Sequence, residues 1–191
     1  MCNPAPGVIL ITGGARSGKS RHAQELALRY TGSPLYVATA RPFDEDFRQR
    51  VRRHRQDRDH RWTLLEEEKH LSRLDLDGHV VVIDCVTLWL TNFFIDLGYD
   101  VDASLEACKK EFDALCEKKA LFIVVSNELG MGVHAETEMG RKFTDLQGWM
   151  NQHIASKAGT VLLMVSGIPL IVKAPSPDVQ ATAFPTKNEK P

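Results

Sequence analysis

At 191 residues with 43% hydrophobic content, the chain can bury a substantial core but sits near the upper end of usual single-domain size, which argues against a second full domain. A formal net charge of -1 asks for neither nucleic acid nor an anionic membrane as partner, so any basic site must be local. No stretch approaches a membrane span and Met1 to Gly7 lacks the apolar core of a signal peptide; the four cysteines, Cys2, Cys85, Cys108 and Cys116, show neither zinc-ligand nor disulfide-scaffold spacing, so a soluble protein of the reducing cytoplasm is expected.

After an N-terminal extension over residues 1–7, the apolar run Val8 to Ile11 predicts a strand, Val8 to Thr12, and Arg21 to Tyr30 reads as a helix. Between them stands Gly-Gly-Ala-Arg-Ser-Gly-Lys-Ser, which matches the pattern G-x-x-x-x-G-K-[ST] at Gly13, Gly18, Lys19 and Ser20. Glycines let successive backbone N–H groups point at phosphate oxygens, and the following helix adds its positive dipole end at the same place. Lys19 can reach the outer phosphates as a point charge, and the Ser20 hydroxyl can complete the shell of Mg²⁺. A Gly-rich turn before an ordinary helix is the bland alternative, but the full motif in strand-loop-helix context predicts a bound nucleoside triphosphate.

Further strands are predicted at Leu35 to Thr39, Trp62 to Glu66, His79 to Asp84, Ala120 to Ser126, Thr160 to Ser166 and Ile168 to Val172. Several, such as Val80-Val81-Val82-Ile83, are apolar without alternation, as strands covered on both faces require. Alternation of strands with helical patterns predicts an α/β fold: a single-domain P-loop NTPase with a mostly parallel central sheet and helices on both faces, over residues 8–173. The segment Arg41 to Arg61 holds eight arginines and two histidines beside five acids. It reads either as a solvated, salt-bridged helix or, because Phe47, Val51 and His54 share one helical stripe, as an inward histidine ringed by guanidinium groups that match polyphosphate oxygens.

Asp84 ends the strand Val80 to Ile83, where a carboxylate would hold Mg²⁺ beside the loop hydroxyl; capping of the helix that starts at Val86 is the alternative. The helix Val86 to Leu97 carries Trp89, Phe93 and Phe94 in excess of one buried stripe, so it either joins subunits or is buried on two sides. Ser126-Asn127-Glu128, followed by Gly130 and Gly132, reads as a loop at the active edge or as a plain turn, and His134 beyond it as a surface residue. The longest helix, roughly Glu136 to Lys157, should pack Phe143, Leu146, Met150 and Ile154 on the sheet. Residues 174–191, with four prolines, read as a flexible tail.

Taken in order, Ile11 to Arg21, Tyr36 to Ala40, Arg50-Val51-Arg52-Arg53-His54-Arg55, Ile83 to Asn92, Ser126-Asn127-Glu128-Leu129-Gly130-Met131-Gly132 and Val165 to Ile168 resemble the bifunctional adenosylcobinamide kinase / adenosylcobinamide-phosphate guanylyltransferase family of cobalamin biosynthesis. The resemblance implies phosphorylation of the aminopropanol hydroxyl of adenosylcobinamide by ATP or GTP. It then implies transfer of GMP from GTP to adenosylcobinamide phosphate through a GMP-histidine intermediate, matched here by His54. It further implies nucleotide contacts from Gly13, Gly14, Ala15, Arg16, Ser17, Gly18, Lys19 and Ser20, from Ala38, Thr39 and Ala40, from Arg55, Gln56, Asp57 and Arg58, and from Glu66 and Asp84. Mg²⁺ would be held by Ser20 and Asp84, and the family points to a homo-oligomer, with a trimer as the suggested order. Some relatives carry paired histidines where this chain has Arg53-His54, and some carry Glu where it has Asp84. Two rival classes stand beside this reading: a kinase for another small molecule, needing no covalent histidine, and a regulatory nucleotide-binding module without turnover.

Overall fold

The structure, a computed structural model, describes residues 6–41 and 59–174. Its elements are β1 (Gly7–Gly13), α1 (Lys19–Tyr30), β2 (Leu35–Ala38), β3 (Thr63–Glu66), a 3₁₀ turn (Leu71–Arg73), β4 (Val80–Asp84), α2 (Val86–Asp96), α3 (Val101–Cys116), β5 (Leu121–Val125), α4 (Glu138–Lys157), β6 (Thr160–Val165) and β7 (Ile168–Lys173). The seven strands run in the order β3-β2-β4-β5-β1-β6-β7, with every pairing parallel except β6 with β7. This is the expected mostly parallel α/β sheet. No described helix is long and apolar enough to cross a membrane.

Alternate residues of the unbroken apolar strands enter two separate cores. Val81 and Ile83 of β4, with Phe122 and Val124 of β5, pack under α2, α3 and α4. Val80, Val82, Leu121, Ile123 and Val125 pack against Ala23, Leu26 and Ala27 of α1. Leu146, Met150 and Ile154 of α4 are fully buried as expected, with Phe143 partly buried against them. The aromatic excess of α2 also turns inward: Trp89, Phe93 and Phe94 are 1%, 7% and 3% exposed within one chain, so burial on two sides replaces the subunit-joining surface. Exposed apolar side chains among the described residues include Ile168, Leu170, Ile171 and Val172 of β7.

Two helix starts are set by side-chain caps. Asp100 accepts from the Ala103 N–H at the head of α3, and Thr137 accepts from the Gly140 N–H at the head of α4, which moves that helix start from Glu136 to Glu138. A two-residue turn at Ser166 and Gly167, with φ of 50° and 85°, joins β6 to β7, and the left-handed backbone at both positions matches the twist of a tight hairpin.

Candidate active site

The motif loop leaves the carboxyl end of β1, and Gly18 (φ 93°) turns it into α1. Neither a side-chain cap nor an acidic residue in the first turn competes for the free N–H groups there, so the helix start is left as a donor surface for an anion. Two contacts hold the loop against its neighbours: the Glu128 N–H donates to the Gly13 carbonyl and the Gly167 N–H donates to the Ser17 carbonyl, both at 3.0 Å. A Cβ at Gly13 would stand 2.6 Å from the Met164 carbonyl oxygen, and one at Gly18 would stand 3.3 Å from Gly167 Cα. Glycine is thus required at Gly13 by packing against β6 as well as by its φ of 148°, and at Gly18 by its φ of 93°.

Lys19 is the first residue of α1 and is 7% exposed. Its Nζ donates to the Gly14 carbonyl at 2.6 Å and reaches Ser17 Oγ at 3.5 Å. Burial pushes the ammonium below its ordinary pKa of 10.5, and the nearby Cys85 and Asp84 oppose that shift.

Strand register brings the acids to the same edge. Glu66 of β3, Ala38 of β2, Asp84 of β4, Val125 of β5 and Ile11 of β1 form one row across the sheet. Because β5 lies between β1 and β4, Asp84 faces the loop across two strand spacings, about 9–10 Å, which leaves room for phosphate groups. The Tyr36 hydroxyl donates to Asp84 Oδ2 at 2.8 Å. The residue that heads α2 is Cys85, with no side-chain cap, so the alternative of Asp84 as a helix cap is not realised. Thr39 ties the ends of β2 and β4 together: its hydroxyl donates to the Cys85 carbonyl at 2.8 Å and accepts from the Cys85 N–H at 2.9 Å.

A cleft of about 600 Å³ is lined by Arg16, Ser17, Gly18, Lys19, Ser20, Arg21, Asp84, Cys85, Val125 and Asn127. The structure thus brings Arg16 to Ser20 and Asp84 into one cavity, with Gly13, Gly14 and Ala15 in the loop that shapes it. Ala38, Thr39, Ala40 and Glu66 reach the same sheet edge but do not line this cleft. His54, Arg55, Gln56, Asp57 and Arg58 lie outside the described residues. Arg21, Cys85, Val125 and Asn127 are additions. The Cys85 thiol, which burial pushes up to about 12, stays protonated near neutral pH and is no nucleophile. Asn127 could be anticipated only as part of the Gly-rich loop after β5, since no spacing rule marks a lone amide. Among the described residues no group of three or more His, Cys, Asp or Glu gathers as a metal site, so a cation here would lean on one carboxylate, one hydroxyl and nucleotide oxygens.

The family described as Cobinamide kinase / cobinamide phosphate guanyltransferase matches the chain over residues 9–172. The Bifunctional adenosylcobalamin biosynthesis protein CobU of Escherichia coli (strain K12) is 39% identical over 181 residues, covering 87% of this chain and 99% of that protein. The Bifunctional adenosylcobalamin biosynthesis protein CobP of Pseudomonas aeruginosa is 38% identical over 169 residues, covering 86% and 96% respectively. Among solved structures, an ATPase from the type III secretion system of pathogenic bacteria aligns with TM-score 0.57 and 10% identity, over 94% of this chain and 62% of that one, a likeness of fold alone.

Proposed function

Because the chain belongs to the cobinamide kinase / cobinamide phosphate guanyltransferase family, we propose that it phosphorylates the aminopropanol hydroxyl of adenosylcobinamide with ATP or GTP and then converts the product to adenosyl-GDP-cobinamide. The observation that carries this reading is the meeting of Lys19, Ser20 and Asp84 in one cleft at the start of α1. Gly13 to Ser20 would cradle the triphosphate through backbone N–H groups, and Lys19 would follow the charge that develops on the outer phosphates. Ala38, Thr39, Ala40, Arg55, Gln56, Asp57, Arg58 and Glu66 are proposed as guanine-nucleotide contacts on the family's pattern.

The donor set fits Mg²⁺, a hard cation that prefers oxygen ligands and keeps several waters. Ser20 and Asp84 would hold it, and when bound it would neutralise charge on the phosphates. Tyr36, through its bond to Asp84 Oδ2, orients the carboxylate. Tyr36→Phe is therefore expected to raise the Mg²⁺ concentration for half-maximal turnover by about tenfold while the chain stays folded. Titrating Mg²⁺ at saturating nucleotide checks this, and an unchanged midpoint would remove Tyr36 from that role.

In the second reaction, neutral His54 attacks the α-phosphorus of GTP, a P–N bond forms, and pyrophosphate leaves with the bridging electron pair. A phosphate oxygen of adenosylcobinamide phosphate then displaces the imidazole and takes GMP. Purified protein incubated with Mg²⁺ and α-³²P-GTP should acquire acid-labile, alkali-stable label, lose it on adding adenosylcobinamide phosphate, and remain unlabelled in His54→Ala. Absence of label in the intact chain would leave a P-loop kinase or a GTP-binding module. A homo-oligomer, with a trimer as the favoured order, and a cytoplasmic location complete the proposal.

A further inference from the structure

Asn127 stands at the tip of β5, the strand between the one that carries the phosphate loop and the one that ends in Asp84, and it lines the same cleft as Lys19, Ser20 and Asp84. Its side chain is clamped at one atom: Nδ2 donates to Thr87 Oγ1 at 2.9 Å, in the first turn of α2, and the Asn127 N–H points to the same hydroxyl at 3.4 Å. Its carbonyl accepts from Asn151 Nδ2 at 3.0 Å.

Behind that bond lies a polar chain set into the apolar core under α4. Asn151 Oδ1 accepts from Ser126 Oγ at 2.5 Å and from Gln147 Nε2 at 3.0 Å, and Gln147 Nε2 also reaches Ser126 Oγ at 3.0 Å. Ser126 is 0% exposed and Gln147 is 1% exposed. Burying such groups costs free energy unless they pair, and apolar residues would fill the same space without that cost. Gln147 Oε1 takes no partner among the described residues, and the groups that do pair converge on one feature, the orientation of the Ser126-Asn127 turn at the cleft.

The remaining carboxamide atom, Asn127 Oδ1, takes no hydrogen bond from the described residues. An amide oxygen only accepts, and ionised phosphate oxygens have no hydrogen to offer it. Lys19 Nζ is directed to Gly14 and Ser17, and with nucleotide bound its N–H groups would turn to the outer phosphates. The group in this cleft that both carries a hydrogen and must be aimed at the terminal phosphorus is the acceptor alcohol. We propose that Asn127 is the positioning residue for that alcohol: Oδ1 accepts the hydroxyl hydrogen of cobinamide and turns an oxygen lone pair toward the γ-phosphorus. The new C–O–P bond forms as the bond from the γ-phosphorus to the β,γ-bridging oxygen breaks, and the nucleoside diphosphate leaves with that electron pair. The hydroxyl proton passes to solvent, since a carboxamide holds the O–H without serving as a base. This assignment rests on the kinase reading above.

The test compares wild type, Asn127→Leu, Thr87→Val and the double variant, each checked for folding by thermal denaturation. It measures nucleotide Kd, Mg²⁺ half-saturation, phosphoryl transfer to cobinamide and the fraction of nucleotide lost to water. Asn127→Leu should lower kcat for transfer by about 10²-fold and raise the hydrolysed fraction, with nucleotide Kd and Mg²⁺ midpoint within about threefold of wild type. Thr87→Val should lose less, and the double variant should be no worse than Asn127→Leu, because Thr87 acts through Asn127. Transfer within threefold of wild type in Asn127→Leu, a loss that follows nucleotide affinity, or a shift confined to Mg²⁺ would overturn the assignment. A wild-type chain unable to phosphorylate cobinamide would instead overturn the kinase reading, and this assignment with it.

Discussion

Replacing Lys19 by methionine is expected to lower phosphoryl transfer by about 10²–10³-fold without unfolding the chain. The aliphatic stem is kept, while the charge that must meet the outer phosphates is lost. Stability should hold or rise, because Lys19 is almost wholly buried and burial is the largest influence on its pKa, working against the charged form. The sign for pH follows from that lowered value. Below the folded-state pKa the charged ammonium is penalised in the folded chain; as pH climbs from there toward 10.5 the folded chain sheds the proton first, and stability is regained. Nucleotide affinity runs the other way, weakening over the same alkaline window as Lys19 loses its charge. Binding titrations from neutral pH upward should show this limb in wild type and lack it in Lys19→Met; an identical limb in both would assign it elsewhere.

Gly13→Ala is expected to cost on the order of 3 kcal/mol of stability, and with it nucleotide binding. The φ of 148° is one that side-chain-bearing residues rarely adopt, and the added Cβ would press to 2.6 Å on a backbone oxygen of β6, which cannot rotate away. For a chain of this length that loss corresponds to a fall in Tm of about 6–12 °C. Gly14→Ala is the internal control: its Cβ meets nothing within 4 Å, so Tm should stay within about 2 °C. Equal losses at the two positions would show that the strain reasoning is misplaced.

The two variants also mark which parts of the site could be read from sequence. Lys19 was legible because the phosphate loop is a local device, a glycine-rich turn between a strand and a helix, and local spacing determines what it can bind. Asp84 was legible as a strand-end acid, yet its competing role as a helix cap fell away only when Cys85 was found to head α2 and Tyr36 to hold the carboxylate. Tyr36 and Asp84 are 48 positions apart, and no periodicity links them. The contact of Gly13 with Met164 and the support of Ser17 by Gly167 likewise join segments about 150 residues apart. The aromatic stripe of α2 shows the reverse limit: its apolar excess was visible, but whether it met another subunit or this chain's own α3 and α4 depended on packing.

By itself the sequence determined the strands, the phosphate loop, the strand-end acid and, through ordered motifs, the family, because each rests on residue types at short spacing. Tertiary structure decided how these parts face one another. It put β5 between the loop strand and the Asp84 strand, set Asn127 above that gap on a buried polar chain, and closed the β6–β7 hairpin against the loop. The physical reason is that parallel pairing and side-chain burial join residues far apart in the chain, and no local pattern encodes which of them will meet.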